Sequence, residues 1–231
     1  MLSVTDLTLH YGQSQILFGV SLEARPGEVT AVMGVNGVGK TSLLKALAGR
    51  QTYSGGRIAL DGQDLGHLSA TQAAQAGIAY VPQGREIFPL MSVAENLETG
   101  FACLPRETRG VPERIYELFP VLKEMAGRRG GDLSGGQQQQ LAIARALVTQ
   151  PRVLLLDEPT EGIQPNIITQ IGRVIESLRD EGEIAVVLVE QFFDFAWGLA
   201  DRFVAMSRGE VVLSDVKANV AREALLERVS I

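Results

Sequence analysis

Three short runs of this chain hold residue types at spacings that chemistry could use. The first is Gly34-Val35-Asn36-Gly37-Val38-Gly39-Lys40-Thr41, which has the G-x-x-x-x-G-K-[ST] spacing of a phosphate-binding loop. Its glycines let the backbone turn tightly, so that N–H groups converge on phosphate oxygens, and a following helix adds the positive end of its dipole. Lys40 would then reach the β and γ phosphates of a nucleotide, and the Thr41 hydroxyl would bind Mg²⁺. The alternative is a plain glycine turn before an ordinary helix. The pattern arises by chance in about one or two per cent of chains this long, so the flanking elements decide.

The second run is Val153-Leu154-Leu155-Leu156-Asp157-Glu158, four apolar residues ending in two carboxylates. It could be a buried parallel strand whose exit happens to be acidic. In a parallel sheet, however, ligands bind at the carboxyl ends of strands. Asp157 there would hold Mg²⁺, through water, and Glu158 would polarise an attacking water as a general base. The third run, Leu133-Ser134-Gly135-Gly136-Gln137, leads into a helix-forming stretch, 138–147. Ser134 and Gln137 have the spacing of a capping box. A capped helix start with two glycines is also an anion site, so the two readings are compatible.

Positioning these runs takes alternating strands and helices. Period-2 alternation over 2–9 and a second strand at 18–22, before the Pro26-Gly27 turn, predict an antiparallel edge. Residues 29–33 read as a buried strand, and 40–48 as a helix stopped by Gly49, which supplies the context the phosphate loop requires. Further strands are expected at 57–60, followed by the Asp61-Gly62 turn, and at 78–81, 153–156, 184–189, 203–206 and 211–213. From about 90 to 150 the pattern is helical, broken at Pro105, Pro112, Pro120 and Gly130-Gly131, and reads as a helical subdomain inserted in a single domain spanning 1–231. Ile167, Ile168, Ile171, Val174, Ile175 and Leu178 recur as one buried helix face, a helix follows from Phe192, and a short one is expected at 218–227. The fold class is α/β: a mostly parallel sheet covered by helices, with an antiparallel β edge.

Composition narrows the function classes. Apolar residues make up 45% of the 231 and charged residues 21%, as in ordinary globular proteins, so disorder is not expected. A net charge of −6 leaves no broad basic face for a nucleic-acid backbone, and no nucleic-acid partner is expected. The single Cys103 cannot form an internal disulfide, and with His10 and His67 it makes no zinc-ligand set, which suits a reducing cytoplasm. No basic stretch leads into an apolar run at the N-terminus, so no signal peptide is expected. The longest apolar runs, such as 184–189, fall far short of the roughly 20 residues of a spanning helix. Another chain would have to bring this one to a membrane.

Phosphate loop, glycine-rich helix start and, about twenty residues on, acidic strand: taken in that order, essentially the whole chain resembles the ATP-binding-cassette (ABC) ATPases, P-loop NTPases that bind ATP with Mg²⁺. The resemblance implies that Tyr11 stacks on adenine and that Gly34, Asn36, Gly37, Gly39, Lys40, Thr41 and Ser42 bind ATP. It implies that Gln83, in Val81-Pro82-Gln83-Gly84, senses Mg²⁺ and the membrane partner, with Thr41, Gln83 and Asp157 around the metal and Glu158 as the base. Ser134, Gly135, Gly136 and Gln137 would complete the ATP site of a partner subunit. Implied partners are a second ATPase subunit, two polytopic permease subunits and a solute-binding protein, at the cytoplasmic face of the plasma (inner) membrane.

Two features depart from the family pattern. Where members usually carry a switch histidine, this chain reads Val189-Glu190-Gln191, which puts Gln191 in that catalytic position unless it merely caps the strand. The loop after Glu158, often ending in aspartate, reads Glu161-Gly162-Ile163-Gln164. Both argue for two unequal ATP sites and hence for a partner ATPase different from this chain. Within the family the sequence looks most like the second ATPase of importers for branched-chain amino acids, amides and urea. Glu161-Gly162-Ile163-Gln164-Pro165-Asn166-Ile167-Ile168 with Gln137-Gln138-Gln139-Gln140 looks especially like the urea importer's subunit, so urea or a short-chain amide is the expected solute and a branched-chain amino acid the alternative. A cassette ATPase of DNA repair or translation would carry long insertions or two cassettes, and neither is present. A regulatory module without turnover would not need Lys40, Asp157 and Glu158 together.

Overall fold

The computed structural model describes residues 1–229. The chain opens with β1 (Leu2–Tyr11) and β2 (Ser14–Ala24), paired antiparallel. β2 outruns the apolar stretch at 18–22 because Gln15 and Ser14 continue the ladder opposite His10 and Tyr11. Next come β3 (Val29–Met33), α1 (Lys40–Leu47) and β4 (Gly55–Leu60). Asp61 and Gly62, both at positive φ, turn β4 into the short β5 (Gln63–Asp64). The antiparallel strands form a sheet of their own, in the order β2-β1-β4-β5.

After α2 (Ala70–Gln75) and β6 (Ile78–Val81), residues 90–150 form helices: α3 (Val93–Glu98), α4 (Glu113–Leu118), α5 (Pro120–Glu124) and α6 (Gly135–Val148), with short 3₁₀ turns between them. Alternation then resumes through β7 (Val153–Asp157), α7 (Pro165–Glu181), β8 (Ala185–Val189), α8 (Phe193–Leu199), β9 (Arg202–Ser207) and β10 (Glu210–Val216). The second sheet runs β10-β9-β3-β8-β7-β6, parallel except for the β9–β10 hairpin. β3, β7 and β8 are buried from end to end, which is why they are continuous apolar runs rather than alternating ones.

The helix expected at 218–227 is divided. A 3₁₀ turn at Lys217–Asn219 is followed by extended, buried Val220 and then by α9 (Arg222–Val229). Val220 and Leu225 anchor this segment against Phe203 and Ala31, and that contact outweighs helix continuity.

Two large cores cover the parallel sheet. On one face α1 places Leu43, Leu44 and Leu47 between the two sheets, against Leu9 and Leu17 of the antiparallel strands and Val32, Leu155 and Val187 of the parallel ones. On the other face α6 and α7 pack Leu141, Ile143, Ile171 and Ile175 on Leu154, Leu156 and Leu188. The helical segment at 90–150 joins this second core through Leu97, Ile115 and Leu122. The carboxyl ends of β3, β7 and β8 are therefore fixed by burial on both faces.

Candidate active site

β3 delivers the chain into the phosphate loop, where Gly34 and Gly39 have φ of 150° and 103°. A Cβ on Gly34 would stand 2.3 Å from the Met206 carbonyl oxygen, so both conformation and space require glycine there, and at Gly39, packed against Leu17, the backbone conformation favours it. Gly39 is the N-cap of α1 and contributes no side-chain hydrogen bond, leaving the first-turn N–H groups available to an anion. Lys40 is only 4% exposed. Its Nζ donates to the carbonyls of Gly34 (2.7 Å) and Val35 (2.9 Å), which curls the loop around the ammonium. Burial pushes the Lys40 ammonium below the usual lysine range, opposed by the carboxylates of Glu158, Asp157 and Glu190.

Asp157 closes β7 and is 1% exposed. One carboxylate oxygen accepts from the Thr41 hydroxyl (3.1 Å), the other from the Tyr80 hydroxyl (2.9 Å). Burial raises the Asp157 pKa, against the two hydrogen bonds that favour its charged form. Burial and the adjacent Asp157 push the Tyr80 phenol far above its usual value, so this hydroxyl acts as a donor. Thr41 and Asp157 thus offer adjacent hard oxygens. No group of three or more His, Cys, Asp or Glu that could hold a metal occurs among the described residues. A hydroxyl and one carboxylate, completed by phosphate oxygens and water, is the donor set that suits Mg²⁺.

Glu158 follows at φ 48°, a left-handed conformation that a residue with a side chain keeps only when its surroundings enforce it. Its N–H donates to the Val189 carbonyl (2.9 Å). Its carboxylate lies between two amides: Gln191 Nε2 donates to one oxygen (2.6 Å) and Gln83 Nε2 to the other (3.2 Å). Gln83 also donates to Glu161 (2.9 Å), so it bridges two carboxylates. The Gln191 amide thus reaches from the end of β8 to the carboxylate that follows β7.

An open cleft of about 400 Å³ gathers most of the sequence candidates: Tyr11, Asn36, Gly37, Gly39, Lys40, Thr41, Ser42, Gln83 and Glu158 line it, together with Ile16. Tyr11, at the end of β1, is half-exposed, with its hydroxyl 3.5 Å from Ser42 Oγ. Gly34, Asp157 and Gln191 do not line the cleft but hydrogen-bond to residues that do. The arrangement can hold a polyphosphate on the loop, a divalent cation at Thr41 and Asp157, and a water beside Glu158.

Ser134, Gly135, Gly136 and Gln137 are absent from the cleft lining. They start α6 with a full capping box: Ser134 Oγ accepts from Gln137 N (3.3 Å), and Gln137 Oε1 accepts from Ser134 N (2.9 Å). Within one chain these residues cap the helix.

Tyr80 and Glu190 were not among the candidates. Glu190 is 2% exposed, and burial raises its pKa against four hydrogen bonds, from the Thr160 hydroxyl and the N–H groups of Phe192, Thr160 and Gln191. Its signal was a lone carboxylate directly after five buried apolar residues. Tyr80 gave no signal, because a phenol near the end of an apolar strand reads as core.

A family model described as "ABC transporter" matches residues 17–161. The high-affinity branched-chain amino acid transport ATP-binding protein BraG of Pseudomonas aeruginosa is 42% identical over 94% of this chain and 94% of its own. A probable branched-chain amino acid transport ATP-binding protein, LivF, of Archaeoglobus fulgidus is 36% identical over 93% and 91%. Among solved structures, a dimeric ATP-binding cassette in a post-hydrolysis state bound to ADP and Pi superposes with a TM-score of 0.83 at 25% identity, over 94% of this chain and 98% of that one.

Proposed function

Since the chain belongs to the ABC transporter family and is an ATPase of it, we propose that it energises a solute importer by hydrolysing ATP in the cleft built on Lys40, Thr41, Asp157 and Glu158. The observation that carries this reading is the Glu158 carboxylate, held between the amides of Gln83 and Gln191 at the edge of the cleft that Lys40 and Thr41 line. The Gly34–Thr41 N–H groups and Lys40 hold the β and γ phosphates. Mg²⁺, bound at Thr41 and Asp157 with Gln83 beside it, would neutralise charge developing on the transferred phosphoryl group. Glu158 takes the proton of the attacking water, Gln191 orients its carboxylate, and Tyr11 stacks on the adenine.

Because Ser134, Gly135, Gly136 and Gln137 stand outside the cleft, they are free to close over ATP bound to a facing cassette. Gln191 can donate hydrogen bonds but cannot become a cation, so the facing cassette in our reading is a different chain that carries the histidine. No helix among the described residues is long and apolar enough to cross a membrane. The membrane partners in this reading are two separate permease chains at the cytoplasmic face. Phe88 and Leu90, the latter 83% exposed, lie just beyond Gln83 and offer them an apolar contact.

The relatives' names favour a branched-chain amino acid as the solute, delivered by a solute-binding protein, and give no support to the urea or amide expected from residues 161–168 and 137–140. The test is ATP-driven uptake by the transporter reconstituted with its native partners. Leucine uptake that ceases in Lys40→Ala is the expected result, and urea uptake with no leucine uptake would reverse the choice of solute.

A further inference from the structure

In the chemistry described so far Glu190 enters only as one of the carboxylates that oppose the lowering of the Lys40 pKa, yet its two oxygens join the two segments on which hydrolysis depends. Oε1 accepts the backbone N–H (3.1 Å) and the hydroxyl (2.6 Å) of Thr160, two residues past Glu158. Oε2 accepts the N–H groups of Gln191 (3.0 Å) and Phe192 (3.2 Å). A buried carboxylate is costly unless donors surround it, and a neutral amide would be easier to bury. Here the donor set demands the acid. Three backbone N–H groups and a hydroxyl are met by two acceptor oxygens, whereas glutamine, in either orientation of its amide, would turn its own NH₂ toward at least one of those N–H groups.

We propose that Glu190 is a positioning residue for hydrolysis, a carboxylate clip that fixes Gln191 against Glu158 by tying the segment after each β-strand to the other. The proposal rests on the reading of Glu158 as the base. Three further features favour it. Glu158 sits in a left-handed conformation that its neighbours must enforce. The Glu158 N–H already bonds the carbonyl of Val189, the residue before Glu190, so the clip adds a second tie beside the first. Gln191 is exposed, and nothing but its 2.6 Å bond to Glu158 holds its side chain among the recorded hydrogen bonds of the described residues. Loss of the clip would free the amide to swing away from the carboxylate while leaving Lys40 and the phosphate loop in place.

The competing role is purely structural, an acid that satisfies the N–H groups ahead of α8. The two separate in a double-mutant cycle. In the transporter purified with its native partners, the quantity to follow is the Glu158-dependent turnover, the part lost in Glu158→Gln. Glu190→Gln is expected to lower the kcat of that part about tenfold, with KM for ATP within about twofold of the parent. In a Gln191→Ala background the same substitution should change it by less than about twofold. A parent kcat in Glu190→Gln, an equal loss in the Gln191→Ala background, or a KM rise matching the kcat loss would each overturn the clip. If Glu190→Gln does not fold, Thr160→Val, which removes one hydroxyl bond, is expected to lower kcat alone by about threefold, and a parent kcat there would overturn it equally. Full turnover in Glu158→Gln would instead refute the assignment of the base, while an inactive Glu158→Gln beside an unaffected Glu190→Gln would refute only the clip.

Discussion

At one end of the cleft Lys40 reaches the carbonyls of Gly34 and Val35, six and five residues away along the chain. At the other end Glu158 takes its contacts from Gln83 and Gln191, 75 and 33 residues away. The first end is built mostly from one stretch of chain, a glycine backbone, a helix start and one cation, packed against Met206 and Leu17. The second is a tertiary object that exists only when β6, β7 and β8 lie side by side. Substitutions at the first end should damage nucleotide binding as well as turnover. Those at the second should damage turnover alone.

The largest effect is expected at the local end. Lys40→Ala removes the cation paired with the β and γ phosphates, and its kcat should fall by about 10²–10³-fold with a clear loss of ATP affinity. Titration with a fluorescent nucleotide beside a phosphate-release assay checks both; parent affinity in this variant would break the comparison at its stronger end. At the tertiary end Gln191→Ala should lower kcat about tenfold and leave nucleotide affinity unchanged, since the Gln191 amide hydrogen-bonds Glu158. A matching drop in affinity would show that the two ends are not separable.

The comparison also sharpens between subunits. Because Gln191 cannot carry charge, the site on this chain should turn over more slowly than one with a histidine in that position. In the whole transporter, Glu→Gln at the catalytic glutamate of the partner ATPase should therefore reduce total turnover more than Glu158→Gln does, by about twofold or more. Equal losses, or a native complex with two copies of this chain, would remove the asymmetry. The smallest effect is expected at Tyr11, whose replacement by alanine forfeits one stacking contact. ATP affinity should drop about threefold to tenfold with kcat unchanged, as read by isothermal titration.

The same division explains what the sequence could tell. Gly34 to Thr41 announces its geometry because the spacing of glycines and Lys40 is itself the structure, and Val153 to Leu156 announces a buried strand because it must be apolar on both faces. Helix α7 was legible from the periodic face that Ile171, Val174, Ile175 and Leu178 bury. Ser134 and Gln137 announced a capped helix start, and the capping box forms as the spacing implies. Glu190 and Tyr80 were not legible, because each matters through a partner far along the chain, Thr160 and Asp157, that no local pattern connects to it. The split between Lys217–Asn219 and α9 was missed for the same reason: Val220 is drawn into a core made by Ala31 and Phe203.

Hydrolysis needs both ends of the cleft, and Glu158 is the group on which the second end turns. The most direct measurement is single-turnover hydrolysis of radiolabelled ATP by the assembled transporter carrying Glu158→Gln, with the partner's catalytic glutamate also replaced by glutamine so that only this site is read. The account requires ATP to bind with parent affinity and to be recovered uncleaved, at a rate about 10²–10⁴-fold below the complex with Glu158 intact, while the closed, ATP-bound state accumulates. Cleavage at the rate of that complex would show that another residue is the base.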